Sequence, residues 1–342
     1  MELETYIFGK KAPKGFLKNL EKYNNIKLSK GVFLDNADIS YSDSFESGVS
    51  SSDFGGYWYM LPKGRAIFKT YSGGDELGNI KNIRITNELL CYELSKQLGI
   101  RCAEYELASY YGEQGVVSYD VSGVNEKLVS SGQIFDKYNL SSNNAFKFYV
   151  TAQKKLEELG YMFDKEKMLL DLYKITLFDI LTVQSDRHRS NVFMLINKKA
   201  DTVKVAPLID NEFAFNGLYF DTMLLDGDTI TEETFKSKTY SISKALLIDE
   251  ESFFEDNMLF ANIKHVVNLA KQNPKMAEIF KNFVSNYNIQ AAIDTLEQKG
   301  VTINQYYKDY LLMTEKFIKK MLKKELSNQK SSTSNRDYSF MN

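Results

Sequence analysis

Cysteine, net charge and long apolar runs are all scarce in this 342-residue chain. Its two cysteines, Cys91 and Cys102, are too few for a disulfide framework, and two thiols alone make no zinc site. Both are expected as reduced, buried thiols. With 43 Lys and Arg against 45 Asp and Glu, the formal net charge is −2. No bulk basic field therefore exists to attract nucleic acid or an anionic membrane. No stretch approaches the ~18 consecutive apolar residues of a membrane span. The N-terminus, Met1-Glu2-Leu3-Glu4, is acidic and lacks the apolar core of a secretory signal. These absences lead to the expectation of a cytoplasmic protein with no direct nucleic-acid partner and no membrane association. No internal repeat is visible.

The chain is instead rich in material for a core, with 22 Tyr and 23 Phe and 43% hydrophobic residues overall. Its length suits one large two-lobed domain or two domains. Residues 47–56 are rich in Ser and Gly and read as a loop. Tyr57–Leu61 and Ala66–Lys69, joined through Pro62-Lys63-Gly64, read as a hairpin. Ile85–Leu98 has helical apolar spacing, with Thr86 as its cap and Gly99 as its stop. Glu104–Tyr111 and Val116–Tyr119 form a second expected hairpin. Beyond about residue 140 the pattern turns helical, over Ala145–Leu159, Lys167–Gln184, Asn262–Gln272, Lys275–Tyr287 and Ile303–Lys323. One strand pair interrupts it, Val192–Ile196 with Val203–Ile209. The expected class is α+β, a two-lobed protein-kinase-like fold. A β-rich N-lobe would occupy 1–139, a helical C-lobe 140–325, and a Ser-, Asn- and Lys-rich disordered tail 326–342.

The chemistry concentrates in Asp186-Arg187-His188-Arg189-Ser190-Asn191, followed by a strand, a polar turn and a second strand that ends at Asp210. Any one of these polar residues alone reads as a turn or cap. Together they have the layout of a kinase catalytic loop and metal-binding loop. Phosphoryl transfer demands that two anionic reactants be placed in line while charge spread over three oxygens is offset. Asn191 and Asp210 offer the oxygen ligands that Mg2+ prefers. Asp186 can accept a hydrogen bond from an attacking hydroxyl, which makes it the catalytic candidate. His188 is a candidate at the nucleotide site that fixes the loop rather than a base. Arg187 and Arg189 suit either a phosphate or an acid, and the sequence leaves that choice open.

The matching half of such a site needs a strand lysine aimed at phosphate and a helix glutamate to hold it. Lys69 ends an expected strand, and Glu88 lies in the helix after it. In isolation Lys69 reads as a solvated strand end and Glu88 as a first-turn acid. Ser50, Ser51 and Ser52, in the Ser/Gly loop, are candidate ATP contacts and candidate autophosphorylation sites, with a plain surface loop as the rival reading. No G-x-G-x-x-G and no G-x-x-x-x-G-K-[ST] is present. Lys319, Lys320, Lys323 and Lys324 alternate with apolar pairs, as on a helix with a solvated basic face.

Asp186-Arg187-His188-Arg189-Ser190-Asn191 with Ile209-Asp210 resembles the HipA-like serine/threonine kinases, the toxin kinases of bacterial toxin–antitoxin systems. Ile67-Phe68-Lys69 looks like that family's strand lysine. Asn87-Glu88 through Leu98-Gly99 looks like its Asn-Glu helix, and Val116–Asp120 like its hairpin strand. The resemblance implies Asp186 as catalytic acid, Asn191 and Asp210 as magnesium ligands, and Lys69 as phosphate contact. It further implies ATP and Mg2+ as cofactors, a protein substrate, and a small helix-turn-helix antitoxin as a possible partner. The Ser/Gly loop departs from the family's usual phosphate-loop wording, and the region before residue 40 looks too short for the family's extra N-terminal subdomain. The motif is also similar to those of antibiotic and choline phosphotransferases and of phosphoinositide kinases. A pseudokinase scaffold is the non-enzyme alternative.

Overall fold

The structure is a computed structural model that describes residues 6–7, 10–11, 32–33, 38–40, 58–70, 79–110, 113–140, 148–187, 191–216, 258–303 and 305–328. The Ser/Gly loop at 47–56, with Ser50, Ser51 and Ser52, lies outside the described residues, as do His188 and Arg189.

In the first half, β1 (Tyr6–Ile7) and β2 (Lys10–Lys11) form a separate antiparallel pair. The main sheet is built from β3 (Val32–Phe33), β4 (Asp38–Ser40), β5 (Trp58–Leu61), β6 (Gly64–Lys69), β7 (Tyr105–Tyr110) and β8 (Glu113–Tyr119). Their spatial order is β3-β7-β8-β6-β5-β4, and only β3–β7 is parallel. Both expected hairpins are present as β5–β6 and β7–β8. Strand β6 lies between β5 and β8, and its Ala66, Ile67 and Phe68 are buried in succession. That run delivers Lys69 to the end of an inner strand.

Helix α1 (Asn79–Leu98) packs against β7 and β8. It starts earlier than expected. The buried stripe extends back through Ile83, so Thr86 sits buried within the helix and is not its cap. Its end is as the sequence suggested. Gly99 adopts φ +63°, and the Ile100 N–H returns to the Ser95 carbonyl at 3.0 Å, the αL closure that glycine permits.

The second half adds β9 (Glu126–Ser130), α2 (Ser131–Tyr138), α3 (Phe148–Glu158), β10 (Met162–Phe163), α4 (Lys165–Leu181), β11 (Phe193–Asn197) and β12 (Thr202–Val205). These strands make a four-stranded sheet in the order β10-β12-β11-β9. Residues 126–130 thus pair with the strand that follows the catalytic-loop motif, not with the first sheet. Ser130 and Gln133 form a capping box at the start of α2, which turns the chain sharply after β9. Asp164 caps α4 by accepting from the Lys167 N–H at 2.9 Å. Helix α4 ends at Leu181, three residues short of the expected Gln184, because Val183 leaves helical space at φ +46°.

The remaining helices are α5 (Met258–Gln272), α6 (Pro274–Asn286), α7 (Ile289–Gln298) and α8 (Gln305–Asn328). Helix α7 was not anticipated. Helix α8 runs to Asn328, so Leu326, Ser327 and Asn328 continue it instead of opening a tail; residues 329–342 lie outside the described residues. One large apolar cluster joins α1, α4 and α5–α8, with Leu90, Leu94, Tyr173, Phe178, Phe215 and Tyr310 among its fully buried members. No helix among the described residues is long and apolar enough to cross a membrane. The architecture is α+β and two-lobed, a small β-rich lobe beside a larger helical one.

Candidate active site

Three charged side chains meet where the first sheet faces the second half. Lys69 Nζ lies 2.9 Å from Glu88 Oε1 and 3.0 Å from Asp210 Oδ1. Each comes from a different element: the end of β6, the middle of α1, and the segment after β12. Glu88 is fully buried, and its second oxygen accepts the Asn211 N–H at 2.8 Å. The Asp210 N–H donates to the Tyr105 hydroxyl on β7 at 3.0 Å. A short parallel bridge, Cys102 to Leu208, fixes the approach; the Ala103 and Leu208 N–H groups donate across it at 2.8 Å each. Residues 101–103 are therefore locked to Leu208 at backbone level, two residues before Asp210.

Gly115 makes possible a second close approach, that of β8 to β6. It lies on β8 beside the Lys69 carbonyl, where an added Cβ would fall 2.2 Å from that oxygen and 2.7 Å from a Phe68 ring carbon. Only glycine lets the two strands come this close.

The catalytic-loop motif forms a second knot. The Asn191 amide donates to the Asp186 carbonyl at 2.8 Å and to Asp186 Oδ2 at 3.1 Å, while the Asp186 N–H donates to Gln184 Oε1 at 3.0 Å. With its nitrogen committed to Asp186, Asn191 keeps its amide oxygen as the acceptor end. Ser185 Oγ donates to the Phe213 carbonyl at 3.0 Å, tying this loop to the segment after Asp210.

Arg187 resolves the choice the sequence left open. It is 3% exposed and pairs with Asp179 at the end of α4, Nη2 to Oδ1 at 3.1 Å. It also donates to the carbonyls of Asn191 (3.4 Å) and Ile209 (2.9 Å) and to Asn211 Oδ1 (2.9 Å). Its guanidinium hydrogens are thus taken up by protein oxygens. Burial raises the Asp179 carboxyl above the usual carboxylate range, and the guanidinium works against that shift. Asn87, also fully buried, anchors the other side. Its amide donates to the Glu212 and Ala214 carbonyls at 2.8 Å each, and the Tyr307 hydroxyl from α8 donates to its oxygen.

Backbone strain gathers at this place. Val183, Asp210 and Phe215 have φ of +46°, +62° and +58°. Positive φ is unusual for any non-glycine residue and most of all for a β-branched one. The Phe215 N–H is bonded to the Thr182 carbonyl, so the strained segments support each other.

Glu212 was not anticipated. Its carboxylate, with those of Glu88 and Asp210, offers oxygens that all lie within 4.8 Å of one another. Burial, then the Asp210 charge beside it, push its pKa up to about 8. So much negative charge in a half-buried place is what a hard divalent cation would offset, and the oxygen donors present fit one. Asp210 and Asn191 would hold it, with Glu212 alongside. Proximity to Asp210 in the sequence was the available signal for Glu212. For Asp179 the signal was a lone charge in the apolar run Ile175–Leu181. Asn87 was marked only through the resemblance of the Asn87-Glu88 helix, and nothing local marked Tyr105 or Tyr307.

No protein-family model and no curated protein sequence matches the chain. Among solved structures, the Helicobacter pylori proinflammatory kinase CtkA matches with a TM-score of 0.62 over 87% of this chain and 97% of that one, at 12% identity. The fold is that of a kinase. The toxin HipA of Shewanella oneidensis, solved with HipB and its operator DNA, matches at a TM-score of 0.42 and 11% identity, over 76% of this chain and 57% of that one. At that score it carries no further weight. The likeness to CtkA concerns the fold; the chemistry has to be argued from the side chains.

Proposed function

We propose that this chain is an ATP-dependent protein kinase that transfers the γ-phosphate to a serine or threonine hydroxyl. The observation that carries the reading is Lys69, held between a buried glutamate and a partly exposed aspartate. Glu88 cannot move away from its two partners, so it fixes the lysine rotamer and keeps the ammonium at the cleft. Asp210 is the more accessible carboxylate, 32% exposed, and is the one that can turn from the lysine to a ligand. The ammonium then meets the phosphate oxygens in place of Asp210. Magnesium, when bound, supplies positive charge against the phosphate oxygens. Gln184 holds the Asp186 backbone N–H and Asn191 holds one carboxylate oxygen, and that oriented carboxylate is the group to accept the proton of the incoming hydroxyl. The kinase fold and the resemblance of the motifs to HipA-like kinases favour a protein as acceptor.

The test is transfer of label from γ-labelled ATP with magnesium to a mixture of proteins. Wild type should label a protein on serine or threonine, its own chain included, and Asp186→Asn should lose about 100-fold or more of that rate. Label confined to an aminoglycoside, choline or a phosphoinositide would replace the acceptor class. Binding of ATP with no transfer to any acceptor would make the chain a scaffold.

A further inference from the structure

Beneath the site lies a buried guanidinium that contacts both halves of the proposed metal-binding apparatus. Arg187 follows Asp186 directly, yet it turns inward. Nε and Nη2 meet the Asp179 carboxylate at 3.1–3.3 Å. The Nη1 hydrogens reach the carbonyls of Asn191 and Ile209, and the second Nη2 hydrogen reaches Asn211 Oδ1. One fork thus holds the backbone of Asn191 and both chain neighbours of Asp210. It does so from the rigid last turn of α4, whose Phe178, Ile180 and Leu181 are fully buried. A packed core offers no second place for this group.

We propose that Arg187, anchored by Asp179, is a positioning residue that sets the separation of Asn191 and Asp210 and so determines whether a cation can bridge them. This rests on the kinase reading of the site but concerns a residue that contacts no substrate. The reasoning is geometric. Asn191 and Asp210 sit on separate segments, one before β11 and one after β12, and β11 and β12 pair with each other only from Met194 and Val205 onward. The Ala206 N–H adds one bond to the Phe193 carbonyl at 3.0 Å, and Ser185 ties its loop to Phe213, but it is the fork that reaches Asn191 and the neighbours of Asp210 themselves. Lysine could keep the charge opposite Asp179, but its compact ammonium lacks the planar reach to three further acceptors. Asp210 also carries strained φ, so its orientation needs support from both sides.

A buried ion pair differs from a merely stabilising one in what its replacement does. Exchange of both partners for apolar residues of similar volume is often tolerated by the fold. The double variant Asp179→Leu/Arg187→Met is therefore informative, with Arg187→Lys as a second variant should the first fail to fold. Two measurements decide. Amide hydrogen exchange is read at Asn191 and Ile209–Asn211, with the α4 amides as internal control, and stabilisation by ATP is read with and without magnesium. The expected result is a melting midpoint within about 5 °C of wild type. Exchange at the two loops should be roughly tenfold faster with α4 unchanged, and the magnesium-dependent part of the ATP stabilisation should be lost. Arg187→Lys should show the same pattern in weaker form. Loop exchange within about twofold of wild type in a folded variant overturns the proposal. So does faster exchange with an unchanged magnesium response, which would make the pair structural only. Should wild type itself show no response to ATP and magnesium, the functional reading falls, and exchange alone decides whether Arg187 positions the loops.

Discussion

Two carboxylate–cation pairs lie side by side in this molecule and differ mainly in their access to water. In the outer pair, Lys69 and Asp210, the side chains are 12% and 32% exposed. In the inner pair, Arg187 and Asp179, they are 2% and 11% exposed. The outer pair shares its lysine with a second carboxylate and crowds Asp210 against Glu212 and Glu88. The inner pair has one carboxylate facing a guanidinium whose remaining hydrogens go to neutral oxygens. The outer arrangement carries surplus negative charge and can exchange a partner for a ligand. The inner one is closed and balanced, and serves as a fixed reference for the loops above it.

The sharpest way to break that comparison is the same change at both carboxylates. Asp179→Asn leaves a buried guanidinium without its counter-charge, and should cost about 3–5 kcal/mol in denaturant unfolding. Asp210→Asn removes a carboxylate from a crowd of like charges, and asparagine tolerates the positive φ found there. Its stability should stay within about 1 kcal/mol of wild type, because relief of that crowding offsets the lost ion pair with Lys69. Function should rank the other way for Asp210→Asn, which should lose about 100-fold or more of magnesium-dependent transfer while remaining folded. Equal stability losses at the two sites would show that exposure is not what separates the pairs.

The contrast also explains what could be read from the sequence. Lys69, Asp186, Asn191 and Asp210 each lie at or near a boundary between a strongly patterned element and a turn, so local spacing picked them out; Glu88 was read as a first-turn acid, and the structure places it in the middle of α1. Tyr105 is 105 residues from the Asp210 N–H it receives, and Tyr307 is 220 residues from Asn87. No local pattern carries information about partners that distant. Strand β9 was missed for a similar reason, since its ladder partner among the described residues is β11, far along the chain. The start of α1 was misplaced because Thr86 is a good cap residue, and tertiary packing of Ile83 overrode that preference. Arg187 was ambiguous since an arginine beside a catalytic acid suits phosphate as well as carboxylate, and only burial decides between them.

A smaller perturbation reaches the outer pair alone. Gly115→Ala places a methyl group against the Lys69 carbonyl and the Phe68 ring. The contact is with backbone, so strand β6 must shift, at a cost of about 1–3 kcal/mol. Lys69 moves with the strand while the Arg187 fork, on the other half of the molecule, stays in place. Affinity for ATP should fall several-fold without any change in hydrogen exchange at Ile209–Asn211. Loss of protection in that loop would mean that the two pairs act as one unit, and the distinction between them would fail.

The mildest effect concerns protons, and it follows from the surplus charge of the outer pair. Glu212 has its pKa raised from 4.5 to about 8 by burial and by Asp210. Between those two values the folded protein holds a proton that the unfolded chain releases. The group's contribution to stability is therefore fully present below pH 4.5 and is lost as pH rises through about 8. Thermal midpoints of the metal-free protein at pH 5, 6.5 and 8 should decline in wild type and decline less in Glu212→Gln. Magnesium should act in the opposite sense, because a cation competes with that proton for the carboxylate. Its stabilising effect should be greater at pH 8 than at pH 6, and the difference should shrink in Glu212→Gln. An identical pH slope in both proteins would remove Glu212 from the charge surplus, leaving Asp210 as its accessible member.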